Sequence, residues 1–352
     1  MMTKSSAGNY FEDFKLHQKI EHATPRTITA GDVAMYIGLT GSRFLLNSSV
    51  ESAHAIGHKG QLVDDLLVFH VAFGKTVSDI SVNAVANLGY ADVRFIKPVY
   101  VGDTLTVHST VIGLRENASG KSGIVYVEST ALNQHQQTVI SWKRWVMVHK
   151  NNTELAAVDA HIPDLPAQVD PDDWQMAKHL NFSHMETALS GSKALWGDYK
   201  IGERIDHLDG MTVDNSDHTL ATKLYQNNAR VHFDDVHMQG SAFKQRLMYG
   251  GHVISVCRAL SFNGLQNALG LLAINGGSHV APTFAGDTLY AVSDVLDVQD
   301  IPGRDDIAAL RLKTWGLKNT AAAAVDQLYD SDLKKYHPAV VLALDYTVYM
   351  PK

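Results

Sequence analysis

The chain has one cysteine in 352 residues, Cys257, so it cannot form an internal disulfide, and a reducing compartment is the expectation. Cys257 lies in the apolar run Val253–Leu260, where nothing suggests a thiolate site. The N-terminal stretch MMTKSSAGNYFEDF lacks the apolar core of a secretion signal, and no apolar run is long enough to span a bilayer. Basic excess is absent too: the formal charge of −7 offers no field for a nucleic-acid backbone or an anionic membrane. The 18 histidines are numerous but scattered, show no metal-ligand spacing, and read mostly as surface or strand residues. These absences lead us to expect a cytoplasmic protein without a nucleic-acid, membrane or metal partner.

What the chain does have is itself, twice. DFKLHQKIEH at Asp13–His22 returns as DYKIGERIDH at Asp198–His207, an offset of 185 residues (198 − 13). The register holds without a gap through Thr27/Thr212, Asp32/Asp217 and Leu39/Leu224 to Asn47/His232. Further on, Pro98–Leu105 (PVYVGDTL) returns as Pro282–Leu289 (PTFAGDTL). Residues 1–150 and 192–352 are therefore read as two copies of one module, each large enough to bury its own core. Residues 151–191, with Pro163, Pro166, Pro171 and the acidic run Asp170–Asp173, read as a linker crossing the surface.

The order of elements is the same in both copies. A short strand (Lys15–Ile20; Lys200–Ile205) leads to a capped helix (Thr29–Thr40; Asp214–Tyr225). A longer apolar helix follows (Asp65–Val77; Gly251–Phe262). Alternating runs then predict strands: Thr104–Val111, Val125–Thr130 and Val139–Val148 in the first copy, and Thr288–Val295, Ile307–Lys313 and Val340–Met350 in the second. One long helix followed by an antiparallel meander is an α+β pattern. The segment Ala321–Lys335 has no counterpart in the first copy and reads as an exposed hairpin tip or helical excursion.

This arrangement resembles the hotdog fold, a curved antiparallel sheet wrapped around a long helix. The repeated Pro-x-x-x-Gly-Asp-Thr-Leu resembles the MaoC-type dehydratase branch of that fold. So does the pattern Phe14-Lys-Leu…Ile20…Thr27-Ile-Thr…Asp32…Tyr36…Leu39-x-Gly41. The resemblance implies two tandem hotdogs packed as a pseudo-dimer with one continuous sheet. It leaves further association into a homo-oligomer open.

The copies diverge where hydratases of this branch carry a loop of the form Gly-Asp-x-Asn-Pro-hydrophobic-His-x-Asp. There the Asp and His hold water for addition to an enoyl double bond. The second copy reads Gln226-Asn-Asn-Ala-Arg-Val-His232-Phe-Asp234, so the resemblance implies catalytic roles for His232 and Asp234, with Asn227 at the usual aspartate position. An amide can orient water but cannot take its proton. Either His232 alone is the base or a carboxylate from elsewhere, among Asp64, Asp65, Asp234 and Asp235, joins it. Asp64-Asp65 also suits the plain role of a negative first turn. The first copy, Gly41–Asn47, has neither Asp nor His. The branch places His-Gly at the start of the long helix, where backbone N–H groups face the thioester oxygen. The second copy has Tyr249-Gly250-Gly251-His252, and the first has Val68-Phe69-His70 with no glycine, His70 reading as a core residue. The C-terminal copy is therefore expected to be catalytic, with Gly250 and Gly251 binding the oxyanion, and the N-terminal copy to be mainly a wall.

Arg43 and Arg230 lie in the two loops and are candidate clamps for a substrate carboxylate, with Tyr249 beside them. At higher specificity the chain resembles the two-hotdog mesaconyl-CoA (2-methylfumaryl-CoA) hydratases, also called β-methylmalyl-CoA dehydratases. The residues concerned are Asn9–Phe14, Ala23–Thr27, Gly41–Phe44, Val63–Thr76, Asn87–Tyr90 and Gln226–Phe233. This implies an acyl-CoA substrate and no metal or redox cofactor, since the thioester is the electron sink. The rivals are a hydratase of another enoyl-CoA such as itaconyl-CoA, an acyl-CoA thioesterase, and a non-catalytic acyl-CoA-binding protein.

Overall fold

A computed structural model describes residues 4–352. The helices are α1 Ala30–Thr40, α2 Leu45–Ser48, α3 Val50–Ala55, α4 Asp65–Ile80, α5 Asn215–Leu224, α6 Asp235–Gln239 and α7 Gly250–Leu260. The strands of the first half are β1 Lys19–Thr27, β2 Ala84–Phe95, β3 Thr104–Glu116, β4 Ser122–Leu132 and β5 Thr138–His149. Those of the second are β6 Arg204–Thr212, β7 Gly270–His279, β8 Thr288–Asp300, β9 Ile307–Lys318, β10 Tyr329–Asp330, β11 Lys335–Tyr336 and β12 Val340–Pro351.

Ten strands form one antiparallel sheet in the order β1-β3-β4-β5-β2-β7-β12-β9-β8-β6. The order is palindromic: five strands of one half, then the same five of the other in reverse. The junction is β2 against β7, with Tyr90 opposite Gly277 and Val93 opposite Ile274. This is the double hotdog with a continuous sheet.

The two long helices lie inside the curve of the sheet. A helix apolar on every side must be covered on every side. In α4 that holds for the run Leu66–Val77, every residue of which is buried. Burying one large apolar side chain of that kind contributes about 1.5–3 kcal/mol. The helices meet at His70 and Ser255, 185 residues apart and hence equivalent in the two copies; His70 Nε2 and Ser255 Oγ are 2.9 Å apart. The repeated Gly-Asp-Thr-Leu segment is a turn in both halves. The Asp103 and Asp287 carboxylates accept from the amides of Tyr100 and Phe284, at 2.8 and 2.9 Å. Gly102 and Gly286 take φ of 99° and 93°, where a side chain would be strained.

Two expectations need correction. Lys15–Gln18 and Lys200–Glu203 are turns that satisfy their own backbone groups, so β1 and β6 begin only at Lys19 and Arg204. Strands β2 and β7, which hold the halves together, stand outside the runs read from the sequence. Six histidines are buried, among them His22 and His207, whose Nε2 atoms each meet a sheet serine (Ser109 and Ser293) at 2.8 Å. The extra segment of the second half is a short 3-10 turn (Ala322–Ala324) and the hairpin β10–β11.

Candidate active site

A cavity of about 550 Å³ opens between the halves. The first half lines it with Phe69 and Phe73 of α4, Tyr90 of β2 and Arg144 of β5. The second adds Asn227, His232, Tyr249, Gly250, Gly251 and His279.

His232 ends a single 3-10 turn, Arg230–His232. Its Nδ1 lies 2.9 Å from the Leu247 carbonyl oxygen. A carbonyl can only accept, so Nδ1 carries the proton and Nε2 keeps its lone pair. Burial in the cavity wall pushes the His232 pKa down to about 4, leaving the imidazole a neutral base at physiological pH.

Asn227 is buried, and its side-chain oxygen accepts the Ala229 amide at 3.0 Å. That bond leaves its NH₂ as the group available to a ligand. The loop is held from the other half: Lys75 donates to Gln226 Oε1 (2.7 Å), Asn228 to Ser78 Oγ (2.8 Å), and Arg26 to the Leu224 carbonyl (2.6 Å).

Gly250 and Gly251 are the first two residues of α7, and their amides have no backbone partner among the described residues. Both positions are closed to any larger residue. A Cβ on Gly250 would stand 2.5 Å from the His279 ring, and one on Gly251 would stand 2.5 Å from the Tyr249 ring and 2.6 Å from His70 Nδ1. The first turn holds no acidic residue, so its positive end is uncompensated. Tyr249 connects these parts, its ring centroid 5.5 Å from that of His232 while its edge abuts Gly251. Base and helix terminus thus both adjoin one tyrosine ring.

The other sequence candidates fall elsewhere. Asp234 is outside the cavity lining; it caps α6, accepting the His237 amide at 2.9 Å, so its catalytic assignment is withdrawn. Arg43 is likewise outside, stacked 4.7 Å above the Phe262 ring, and is no clamp for a ligand in this cavity. Arg230 does line the cavity but is exposed, which suits a contact at the mouth rather than a desolvated clamp. The residue of α4 equivalent to Gly251 is Leu66, at the 185-residue offset, and not the Val68–His70 stretch expected from sequence. Asp64 caps α4 by accepting the Leu66 amide, and Asp65 accepts the Leu271 amide of the other half. Asp235 is exposed on α6.

Sequence reading missed three residues. The Tyr90 hydroxyl and His279 Nε2 are hydrogen-bonded, and that ring covers Gly250. Arg144 is 1% exposed and packs its guanidinium 4.3 Å above the Phe73 ring. Period-two alternation of Ile140, Trp142, Arg144, Val146 and Val148 on β5 carried the signal: an arginine in an inward register.

A double hotdog with a histidine-bearing loop facing a glycine-started central helix defines the class of MaoC-type hydratases and dehydratases. Within that class, the mesaconyl-CoA hydratase family model matches residues 2–323. A β-methylmalyl-CoA dehydratase of Chloroflexus aurantiacus is 51% identical over 100% of this chain and 99% of its own. A mesaconyl-CoA hydratase of Cereibacter sphaeroides is 47% identical over 99% and 100%. The crystal structure of a MaoC-domain dehydratase from Chloroflexus aurantiacus superposes with a TM-score of 0.94 at 50% identity, covering 100% of this chain and 99% of that one. The chain belongs to the mesaconyl-CoA hydratase family.

Proposed function

We propose that this protein adds water reversibly to the double bond of mesaconyl-CoA to give β-methylmalyl-CoA. The observation that carries the reading is His232, whose Nδ1 is pinned to a carbonyl so that Nε2 is basic, sharing a wall with the uncompensated start of α7. The names borne by the relatives supply the substrate.

Water is held between His232 Nε2, which accepts its proton, and the Asn227 NH₂, which donates to its oxygen. The oxygen attacks C3 of the acyl group, the carbon β to the thioester. The π electrons move through C2 to the thioester oxygen, and the enolate is stabilised by the Gly250 and Gly251 amides. The proton taken from water, or one exchanged with it, then reaches C2. Dehydration is the reverse. Asn227 serves this scheme by orienting; His232 moves the proton.

The test offers purified protein mesaconyl-CoA, crotonyl-CoA and itaconyl-CoA, following loss of the enoyl-thioester absorbance alongside release of free thiol. Hydration of mesaconyl-CoA in preference to the others is expected. A His232→Ala change should lower kcat about 10²–10⁴-fold, the range for a lost general base. Thiol release without hydration would make the protein a thioesterase, and full turnover in the alanine variant would remove His232 from the mechanism.

A further inference from the structure

The cavity is lined by two arginines and four histidines and, among the described residues, by no aspartate or glutamate. Arg144 is the anomaly in it. Its Nη2 reaches only the hydroxyls of Thr76 (3.0 Å) and Ser81 (3.5 Å). Nε and Nη1 are buried with no partner among the described residues. It forms no ion pair there, whereas Arg26, Arg94, Arg304 and Arg311 each meet an aspartate. Burial pushes its pKa down only to about 10, so it is still a cation at neutral pH.

A buried, unpaired guanidinium is an unfavourable thing for a fold to keep. The planar fork of a guanidinium engages a carboxylate through two parallel hydrogen bonds along its Nε–Nη2 or its Nη1–Nη2 edge. In Arg144 each edge carries one unpartnered donor, Nε or Nη1, beside Nη2, which has two hydrogens and meets one hydroxyl at 3.0 Å. The Phe73 ring, 4.3 Å beneath the guanidinium, covers one side of the cation. The Phe73 ring on which it stacks lies 6.1 Å from the Tyr249 ring, and Tyr249 lies 5.5 Å from His232, so the fork and the base line one cavity with a single aromatic ring between them.

We propose that Arg144, contributed by the half that lacks the base, binds the free carboxylate of the acyl group and selects dicarboxylate thioesters over simple alkyl ones. This rests on the mesaconyl-CoA reading and sharpens it, assigning to a strand of the N-terminal half the clamp that sequence reading sought in Arg43 and Arg230. It gives that half a part in recognition, not only in packing.

The test uses two saturated thioesters that cannot be hydrated, succinyl-CoA and butyryl-CoA, with dissociation constants measured by calorimetry. Wild-type protein should bind succinyl-CoA more tightly. In Arg144→Gln the succinyl-CoA constant should rise about 50-fold or more while that of butyryl-CoA changes less than about threefold, as expected when one charged partner of a desolvated pair is removed. Arg144→Lys, which keeps the charge without the fork, should recover part of the preference. Equal loss for both ligands, or a wild-type protein without preference, would overturn the assignment. Preference lost in Arg144→Gln while wild-type protein fails to hydrate mesaconyl-CoA would uphold the clamp and sink the reaction instead.

Discussion

At the start of α4 stand Asp64, Asp65 and Leu66; at the start of α7, 185 residues on, stand Tyr249, Gly250 and Gly251. The backbone frame is the same and the contents are opposite. At α4 the positive helix end is already occupied by carboxylates, Arg258 lies beside them with its guanidinium 3.5 Å above Phe44, and the remaining void is about 10 Å³. At α7 the helix end is bare, the arginine across from it has no acid, and the void is about 550 Å³. The closed site is filled by its own carboxyl groups; the open one leaves a cation and a helix dipole facing the cavity. The two halves share one architecture, but one helix start is filled while the other faces a cavity that residues of both halves line.

The largest effect should come from making the open site resemble the closed one. Gly251→Val places branched carbon where Tyr249 and His70 leave 2.5–2.6 Å, and should lower kcat/KM about 10²–10³-fold, the range for a lost oxyanion donor. Steady-state hydration kinetics with a thermal melt check it. A folded variant of normal activity would show that α7 does not carry the oxyanion.

An intermediate effect concerns pH. Because His232 is held neutral to about pH 4, hydration should show no acid limb near 6.5; kcat/KM should stay level down to about pH 5 and fall below it. The same depression links to stability. His58, His207, His218, His252 and His279 are pushed to about 4 and His70 to about 3, all by burial. The unfolded chain takes up protons that the fold refuses. Stability should thus be complete above pH ~6.5 and decline as pH falls toward 4, by up to about 1.4 kcal/mol per pH unit for each fully buried imidazole. A melting temperature unchanged between pH 7 and 5 would break the account.

The smallest effect belongs to the closed site. Burial raises the Asp65 pKa to about 7, the opposite sign. A folded pKa above the unfolded value means that its ionisation opposes folding as pH rises from about 4 to 7. Asp65→Asn keeps an acceptor for the Leu271 amide and loses that penalty. It should leave turnover within about twofold, as expected away from a working site, and raise the melting temperature more at pH 8 than at pH 5.5. Loss of activity comparable to that of Gly251→Val would mean that the α4 site is itself a working site.

Much of this was legible locally. Thr29 caps α1 with its side chain, Asp214 precedes α5 without a side-chain bond to it, and the loop from Asn227 to His232 and the glycines of α7 stood out by type and spacing. What failed was reach. Asp234 has the residue type and register of a catalytic acid, yet the turn that positions His232 aims it at the first amides of α6. Arg43 and Arg230 sit in the right loops, but one stacks on Phe262 and the other faces solvent.

The sequence by itself determined the duplication, the helix-plus-meander pattern of each copy and the half that keeps the imidazole, because each is written in short-range order: repeats, caps, alternation. Tertiary structure alone decided that Tyr90 and Arg144 of one half share a cavity with His232, Gly250 and His279 of the other. Those residues meet through the β2–β7 junction and the crossing of α4 and α7, contacts between chain segments more than a hundred residues apart. A cation's inward face on a strand means little until the chamber it faces has been built.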